Sequence, residues 1–251
     1  MTTIIQLSKW IGIPMFLIYL TAMVVIPAFS NDWDHVQNVW ERWQGLNVGV
    51  LAFMTSLVAL NISRYNAEKQ RIREFRAAQA NLPSALDELC HYTDTMSEHY
   101  KKAWDAITSG GCFNVTLPEL STSFKPVFSE CIRHARPEVG DWLAAILTKL
   151  QIQRARSISS HDNPLSSKIS SLNNHAILDH MYSIGELRAL INRMFPFARG
   201  EENFNDEPLK LTEFYSAYHN VGIAPERFRY TPSADDEEYD LQIMTCERIE
   251  D

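Results

Sequence analysis

Two pairs of side chains stand at spacings that bring reactive groups together on a helix, and His175 with Asp179 is the first. These residues are four apart, so on a helix they lie one turn apart on the same face. A carboxylate beside an imidazole can orient it as a general base. No serine or cysteine nucleophile is identifiable next to this pair, so we interpret it as part of a solvated helix face.

The second pair is Cys131 and His134, which are three residues apart on a predicted helix and can both face a metal ion. A zinc site would need two further ligands from elsewhere in the chain. The four cysteines form no CxxC pair. We therefore predict no metal and no cofactor, and we expect reduced thiols that pack as small hydrophobes: Cys90, Cys112, Cys131 and Cys246.

A third set of residues, Arg156-Ser157-Ile158-Ser159-Ser160-His161, has an arginine, four intervening residues and a histidine. This spacing resembles the active-site motif of HEPN-type ribonucleases, which are all-α domains. The resemblance implies that Arg156 and His161 act on the scissile phosphate, with Ser157 at the position where the family has a polar residue. It covers six residues, and a chain with eight histidines also yields such a spacing by chance.

No P-loop and no Rossmann glycine fingerprint is present in the sequence. We therefore predict that the chain is not an enzyme. A membrane-tethered HEPN-like RNase is the alternative.

The elements that must position these residues begin with two uncharged segments of membrane-spanning length. Residues 10–30 and 44–63 contain no Asp, Glu, Lys or Arg, and about 20 apolar residues suffice for a helix to cross the hydrocarbon core. We predict a transmembrane hairpin over residues 1–63 with these two segments as its helices. A cleaved signal peptide is the competing interpretation of the first segment, because Lys9 precedes it and Ala28-Phe29-Ser30 offers a small-residue cleavage pattern.

The charges on either side of the second segment predict its orientation. The connecting loop NDWDHVQNVWERW carries three acidic residues against Arg42 alone, whereas basic residues follow the second segment: Arg64, Lys69, Arg71, Arg73 and Arg76. Basic residues remain on the cytoplasmic side, so we predict two passes with both termini in the cytoplasm. We expect the five basic residues to contact anionic lipid headgroups, with nucleic acid as the alternative ligand.

Polar residues are few in the second segment, and Asn47 is one of them. Its amide can hydrogen-bond across helices in an oligomer, because an unpaired amide in hydrocarbon is costly. It also lies near the membrane surface, where water can satisfy it. We predict a helix-packing role in the membrane for Asn47 and Gly49, and no row of polar residues would line a standing channel.

A helical repeat follows the second segment. Apolar residues recur every three or four positions from Tyr65 to Ile107, which is typical of a packed helix. Pro83 interrupts this rod, so the helix should kink or restart there. The sequence Ser84-Ala85-Leu86-Asp87 resembles a capping box and favours a restart. We predict that Pro83 is a hinge.

The rest of the chain is predicted to be helical, without strand patterns, so that residues 64–251 form an all-α cytoplasmic domain. One helix has a clear apolar face: Ile177, Leu178, Met181, Ile184, Leu187, Ile191 and Met194. Residues 200–251 carry 14 Asp and Glu against 4 Lys and Arg, in a chain of net charge −8. This acidic tail keeps the domain soluble or docks a basic partner.

Three short segments carry a likeness to known proteins: WERWQGL at residues 40–46, NLPSAL at 81–86 and MFPFAR at 194–199. The chain resembles bacterial inner-membrane proteins with a tryptophan-rich turn into the second membrane helix, a basic exit and a helical cytoplasmic domain. Within that group it looks like the two-pass effectors encoded beside retron reverse transcriptases in antiphage systems.

This resemblance implies a toxin of the inner membrane. Its partner reverse transcriptase and a DNA–RNA hybrid would hold it silent, and infection would release it to damage the membrane. We expect a homo-oligomer in the active state, with membrane lipids as further partners. A passive membrane scaffold is the remaining alternative.

Overall fold

In a computed structural model of the chain, two long helices are separated by a break near Pro83. The structure describes residue 14 and residues 17–29, 33–109, 116–161, 174–230 and 239–250. It divides into two compact units, Met1–Lys69 and Gln70–Asp251.

The first unit is helical in most of its described residues. Residues 17–20 are helical, a π-helical turn covers Thr21–Val25, and helix α1 (Ile26–Phe29) follows directly. These elements lie inside the first predicted span. Residues 10–13, 15–16 and 30 of that span lie outside the described part of the chain.

The segment between the two apolar runs forms helix α2 (Trp33–Arg42), whereas we predicted a loop. Asp34 in the first turn and Arg42 in the last turn complement the helix dipole. The side chain of Asn38 also donates a hydrogen bond to the carbonyl of Asp34 at 2.9 Å. Helix α3 (Gln44–Gln79) begins after the single turn residue Trp43.

The second unit contains the end of α3 and further helices. These are α4 (Leu82–Thr108), α5 (Phe124–His134), α6 (Pro137–His161), α7 (Asn174–Ala198), α8 (Leu211–Asn220) and α9 (Leu241–Glu250). Helix α7 packs against α4, α6, α8 and α9. All seven residues of its predicted apolar face are buried, which confirms that prediction.

The predicted all-α class is confirmed, with one small departure among the described residues. Strands β1 (Arg229–Tyr230) and β2 (Tyr239–Asp240) form a two-residue antiparallel pair. Arg229 pairs with Asp240 at 2.8 Å across this ladder. Two residues are too few to show an alternating pattern, so the sequence could not reveal these strands.

The predicted restart of the helix occurs, but the N-cap residue is Asn81, three residues before the predicted Ser84. Helix α3 ends at Gln79, Ala80 and Asn81 form a turn, and α4 begins at Leu82 with Pro83 in its first turn. Proline is tolerated there because the first N–H groups of a helix have no intrahelical partner. The predicted capping box is wrong, since Ser84 lies inside α4.

The apolar repeat predicted from Tyr65 to Ile107 describes the buried face of α4 better than that of α3. Apolar residues of the pattern are buried along α4, from Leu82 to Ala103, whereas Tyr65 and Ile72 on α3 are 60% and 40% exposed. Phe75 is the first apolar residue of the pattern that packs against the core cluster. The pattern therefore predicted a periodic face correctly but extended the buried part of that face too far towards the N terminus.

Helices α7 and α8 approach closely at Gly185. A Cβ atom at this position would lie 2.3 Å from a ring carbon of Tyr218. Tyr218 is fully buried, and its hydroxyl lies 2.8 Å from the hydroxyl of Thr245 on α9. Glycine is required here because any side chain would occupy the space of the Tyr218 ring.

Candidate functional site

Helix α3 exposes its uncharged segment. Among the residues that the structure describes, it is the one helix that is long and apolar enough to cross a membrane. Large side chains on several of its faces are exposed, as Leu51 (66%), Phe53 (61%) and Val58 (57%) illustrate. Soluble proteins rarely leave a contiguous apolar surface of this kind open to water. Helix α3 is therefore a candidate membrane-spanning helix.

Asn47 links the two apolar runs within the first unit. Its side-chain oxygen accepts a hydrogen bond of 2.7 Å from the hydroxyl of Tyr19, and the residue is only 7% exposed. Its amide nitrogen is buried and has no hydrogen-bond partner within the described part of the chain. The hydrogen bond between Tyr19 and Asn47 joins residues of the two apolar runs that are 28 positions apart.

Gly49 lies on a different side of α3 from Asn47. A Cβ atom added at Gly49 would meet no atom of the chain within 4 Å, and the same holds for Gly45. Both glycines are exposed. The predicted packing role of Gly49 would therefore require a neighbour other than the described residues of this chain, and it stays a prediction.

Four of the five predicted lipid-facing residues are exposed. Arg64 and Lys69 belong to the first unit, and the ammonium of Lys69 lies 4.4 Å from the ring centre of Tyr65. Arg73 and Arg76 belong to the second unit and are exposed on α3. Exposed cations directly after an uncharged segment are suited to anionic headgroups.

Arg71 differs from these four, because its side chain is used within the second unit. Its guanidinium donates hydrogen bonds of 3.1 Å to the carbonyl oxygens of His134 and Ala135. These carbonyls lie at the end of α5, where a cation also complements the helix dipole. Arg71 therefore fastens the end of α3 to α5, a role that its place in a basic segment did not reveal.

The HEPN-like motif lies at the C-terminal end of α6. Arg156 is exposed, but the side chain of His161 lies outside the described part of the chain. Ser157, the residue after the arginine, is buried (3% exposed). Its hydroxyl donates to the carbonyl of Gln153 at 2.8 Å and accepts from the Gln153 amide at 3.1 Å. The hydroxyl of Ser157 is therefore engaged in hydrogen bonds inside the fold.

Ser157 belongs to a buried polar network between α4 and α6 that the sequence analysis missed. The hydroxyls of Tyr100 and Ser157 lie 2.7 Å apart, and the hydroxyl of Tyr92 donates to the side-chain oxygen of Gln153 at 2.9 Å. Because Ser157 uses its proton on a carbonyl, Tyr100 is the donor in their contact. The sequence did contain a signal for this network, because Gln153 and Ser157 continue the face of α6 that is otherwise formed by aliphatic residues.

His180 packs against this network from α7. Its ring stacks on the ring of Tyr100 with centres 4.7 Å apart, and it is 5% exposed. Burial lowers the pKa of His180 to about 4, opposed by the negative charge of Asp179 and aided by the positive charge of Arg156. The imidazole is therefore neutral at pH 7.

The predicted pair His175 and Asp179 is brought together, with 3.5 Å between the imidazole nitrogen and the carboxylate. Asp179 also forms an ion pair with Arg248 on α9. This ion pair joins α9 to α7 at the surface of the domain. We therefore retain the interpretation of this pair as part of a helix face.

Cys131 and His134 lie in different surroundings. Cys131 is fully buried, and burial raises the pKa of its thiol to about 11. His134 lies between two carboxylates, 3.2 Å from Glu74 and 3.4 Å from Glu130. Within the described ranges, no group of three or more His, Cys, Asp and Glu side chains is placed to hold a metal ion.

No family model, curated protein or solved structure matches this chain.

Proposed function

We propose that this protein is a non-enzymatic membrane effector that disrupts the bacterial inner membrane when its partners release it. It crosses the membrane twice, through residues 10–30 and 44–63, with both termini in the cytoplasm. The observation that carries this proposal is α3, a 36-residue helix with an uncharged, exposed first half and exposed basic residues after it.

The orientation of the protein follows from its charges. The basic residues Arg64, Lys69, Arg73 and Arg76 remain at the cytoplasmic surface and bind anionic headgroups, while the acidic segment between the spans faces outwards. The hydrogen bond between Tyr19 and Asn47 supports a hairpin, because it joins the two apolar runs.

The proposed partners are a reverse transcriptase with its DNA–RNA hybrid and further copies of this chain. The likeness to retron-associated effectors supports the first, and the open faces of Gly45 and Gly49 are consistent with the second. A change in the packing of the helical domain would reach the membrane through α3, which is continuous from Gln44 to Gln79. A neighbouring reverse transcriptase gene would support the first partner, and its absence would contradict it.

The effector proposal is tested by expressing the protein alone in bacteria and recording membrane potential with a voltage-sensitive dye. We expect depolarisation by the native chain and its loss in Leu57→Lys, because a lysine in the middle of a span costs about 3 kcal/mol of insertion free energy. Thr148→Lys adds the same charge at an exposed position of α6 and should depolarise as the native protein does.

His161→Ala separates this proposal from the alternatives. Depolarisation that survives this substitution supports the effector. An intact potential with degraded cellular RNA would instead assign the protein to the RNase alternative, and an intact potential with intact RNA would leave the passive scaffold.

A further inference from the structure

A cavity of about 60 Å³ lies between α4 and α6, beside the residues that precede α5. Its walls are mainly apolar and are formed by Met96 of α4, Leu117 and Pro118 of the connecting segment, and Ile158 of α6. A concave, largely apolar space with a few polar groups has the composition of a ligand site, and its small volume limits an occupant to a short group.

The polar groups at the cavity are Arg154, Tyr92, Ser157 and Glu119. The Ser157 hydroxyl is engaged by Gln153 and Tyr100, and the Tyr92 hydroxyl donates to Gln153, so neither has a free proton for a ligand. Burial raises the pKa of Tyr92, and the adjacent positive charge of Arg154 opposes this. The guanidinium is therefore the group with donors to spare.

Arg154 is half-buried and, among the residues described, forms no salt bridge. A guanidinium presents five N–H donors in a planar fork, and contact with the Tyr92 hydroxyl occupies only part of that capacity. A half-buried cation at the wall of a cavity is best satisfied by an anion that enters the cavity.

We propose that this cavity binds a small organic monocarboxylate. The carboxylate pairs with the fork of Arg154, and a short apolar group lies against Met96, Leu117 and Ile158. The carboxylate of Glu119 at the same cavity repels ligands that carry a second negative charge, which selects monoanions over phosphate dianions. The same chemistry is offered by a free short-chain acid and by the C-terminal carboxylate of a peptide.

The experiment uses the full chain in detergent micelles and ligand-observed NMR. Butyrate and its neutral analogue butyramide form one arm, and a tetrapeptide ending in valine, as free acid and as C-terminal amide, forms the other. We expect at least one acid to bind about tenfold or more tightly than its amide, since a charge-assisted hydrogen bond is lost with the carboxylate. Binding of the peptide acid alone would support the site and assign the carboxylate to a peptide.

Arg154→Gln should abolish this preference, whereas Arg133→Gln, at an exposed position of α5, should keep it. Should Arg154→Gln fail to fold by circular dichroism, Ile158→Trp provides a second variant, because it fills the cavity from a position that is 40% exposed. Equal binding of acids and amides, no binding of either acid, or binding that persists in Ile158→Trp would overturn the proposal. Membrane potential is not the readout, so this result stands apart from the effector proposal.

Discussion

At the scale of single residues, the core contains a connected set of buried polar side chains. Ser157, which the HEPN-like spacing marked as a possible part of a catalytic motif, is a buried hydroxyl that binds Gln153 and Tyr100. His180 completes this arrangement as a buried, neutral imidazole stacked on Tyr100. Buried polar groups of this kind are stable only when their hydrogen bonds are made, so they define the register of α4, α6 and α7.

His180 makes stability depend on pH. Its pKa is lowered from 6.5 to about 4 in the folded state, so below pH 6.5 the unfolded chain takes up a proton that the folded chain refuses. This contribution to stability is constant above pH 6.5 and is lost as pH falls towards 4, by up to about 3 kcal/mol. His180→Phe should flatten this part of the pH profile in urea unfolding followed by circular dichroism.

His91→Gln is the matched control, because His91 is an exposed residue of α4. Its profile between pH 4 and 6.5 should follow that of the native protein. An unchanged slope in His180→Phe would show that other groups dominate the acid response, and would contradict the assignment to His180.

At the scale of elements, the junction of α3 and α4 is the feature with most consequence. The end of α3 belongs to the second unit and is held there by Arg71 and by Gln79, whose side chain donates to the carbonyl of Phe197 at 2.7 Å. Leu82, the first residue of α4, is fully buried. The turn at Ala80 and Asn81 therefore lies between two anchored positions.

Pro83→Ala tests the predicted hinge at this turn. The substitution restores an N–H that can donate to the carbonyl of Gln79, which favours a continuous helix through the turn. We expect weaker depolarisation of the membrane at unchanged expression. Pro137→Ala changes another proline in the first turn of a helix and should have no such effect. Equal depolarisation by native and Pro83→Ala proteins would contradict the hinge and leave Pro83 with a structural role only.

At the scale of the whole molecule, the chain combines an exposed apolar helix with a packed helical core. The described large apolar residues of α3 between residues 46 and 62 are mostly exposed, whereas those of α7 are mostly buried. Apolar side chains are unfavourable in water. The buried apolar face of α7 is therefore suited to a domain surrounded by water, whereas the exposed apolar segment of α3 is suited to the hydrocarbon of a membrane.

The proposed topology can be tested by cysteine labelling in a variant whose four native cysteines are alanine. A membrane-impermeant maleimide should label Asn38→Cys in intact spheroplasts, because the proposed topology places the segment between the spans on the outer side. Ser216→Cys, on an exposed position of α8, should react only after the inner membrane is permeabilised. Labelling of Ser216→Cys in intact spheroplasts would contradict the orientation.

Local patterns predicted the helices because apolar residues spaced three and four positions apart lie on one face of a helix. The seven residues of the α7 face recur every three or four positions, and all are buried. The restart near Pro83 also follows from local chemistry, since proline lacks an N–H. The exact start of α4 does not, because Ser84 and Asn81 are both acceptable caps by composition. In the structure α4 begins at Leu82, which is fully buried.

Long-range contacts lay beyond these patterns. Arg71 reads as one more basic residue after the uncharged segment, and only folding brings His134, 63 positions later, to its guanidinium. The cavity at Arg154 is likewise built from α4, the segment before α5 and α6, which are distant in sequence.

The sequence by itself determined the all-α class, the uncharged segment of α3 and the basic residues after it, because periodicity and charge are local properties. The tertiary structure alone decided which polar residues are interior, which cation is fastened to a helix end and which one faces a cavity. The physical reason is that desolvation and hydrogen bonding depend on neighbours in space, and the chain brings those neighbours together only when its helices pack.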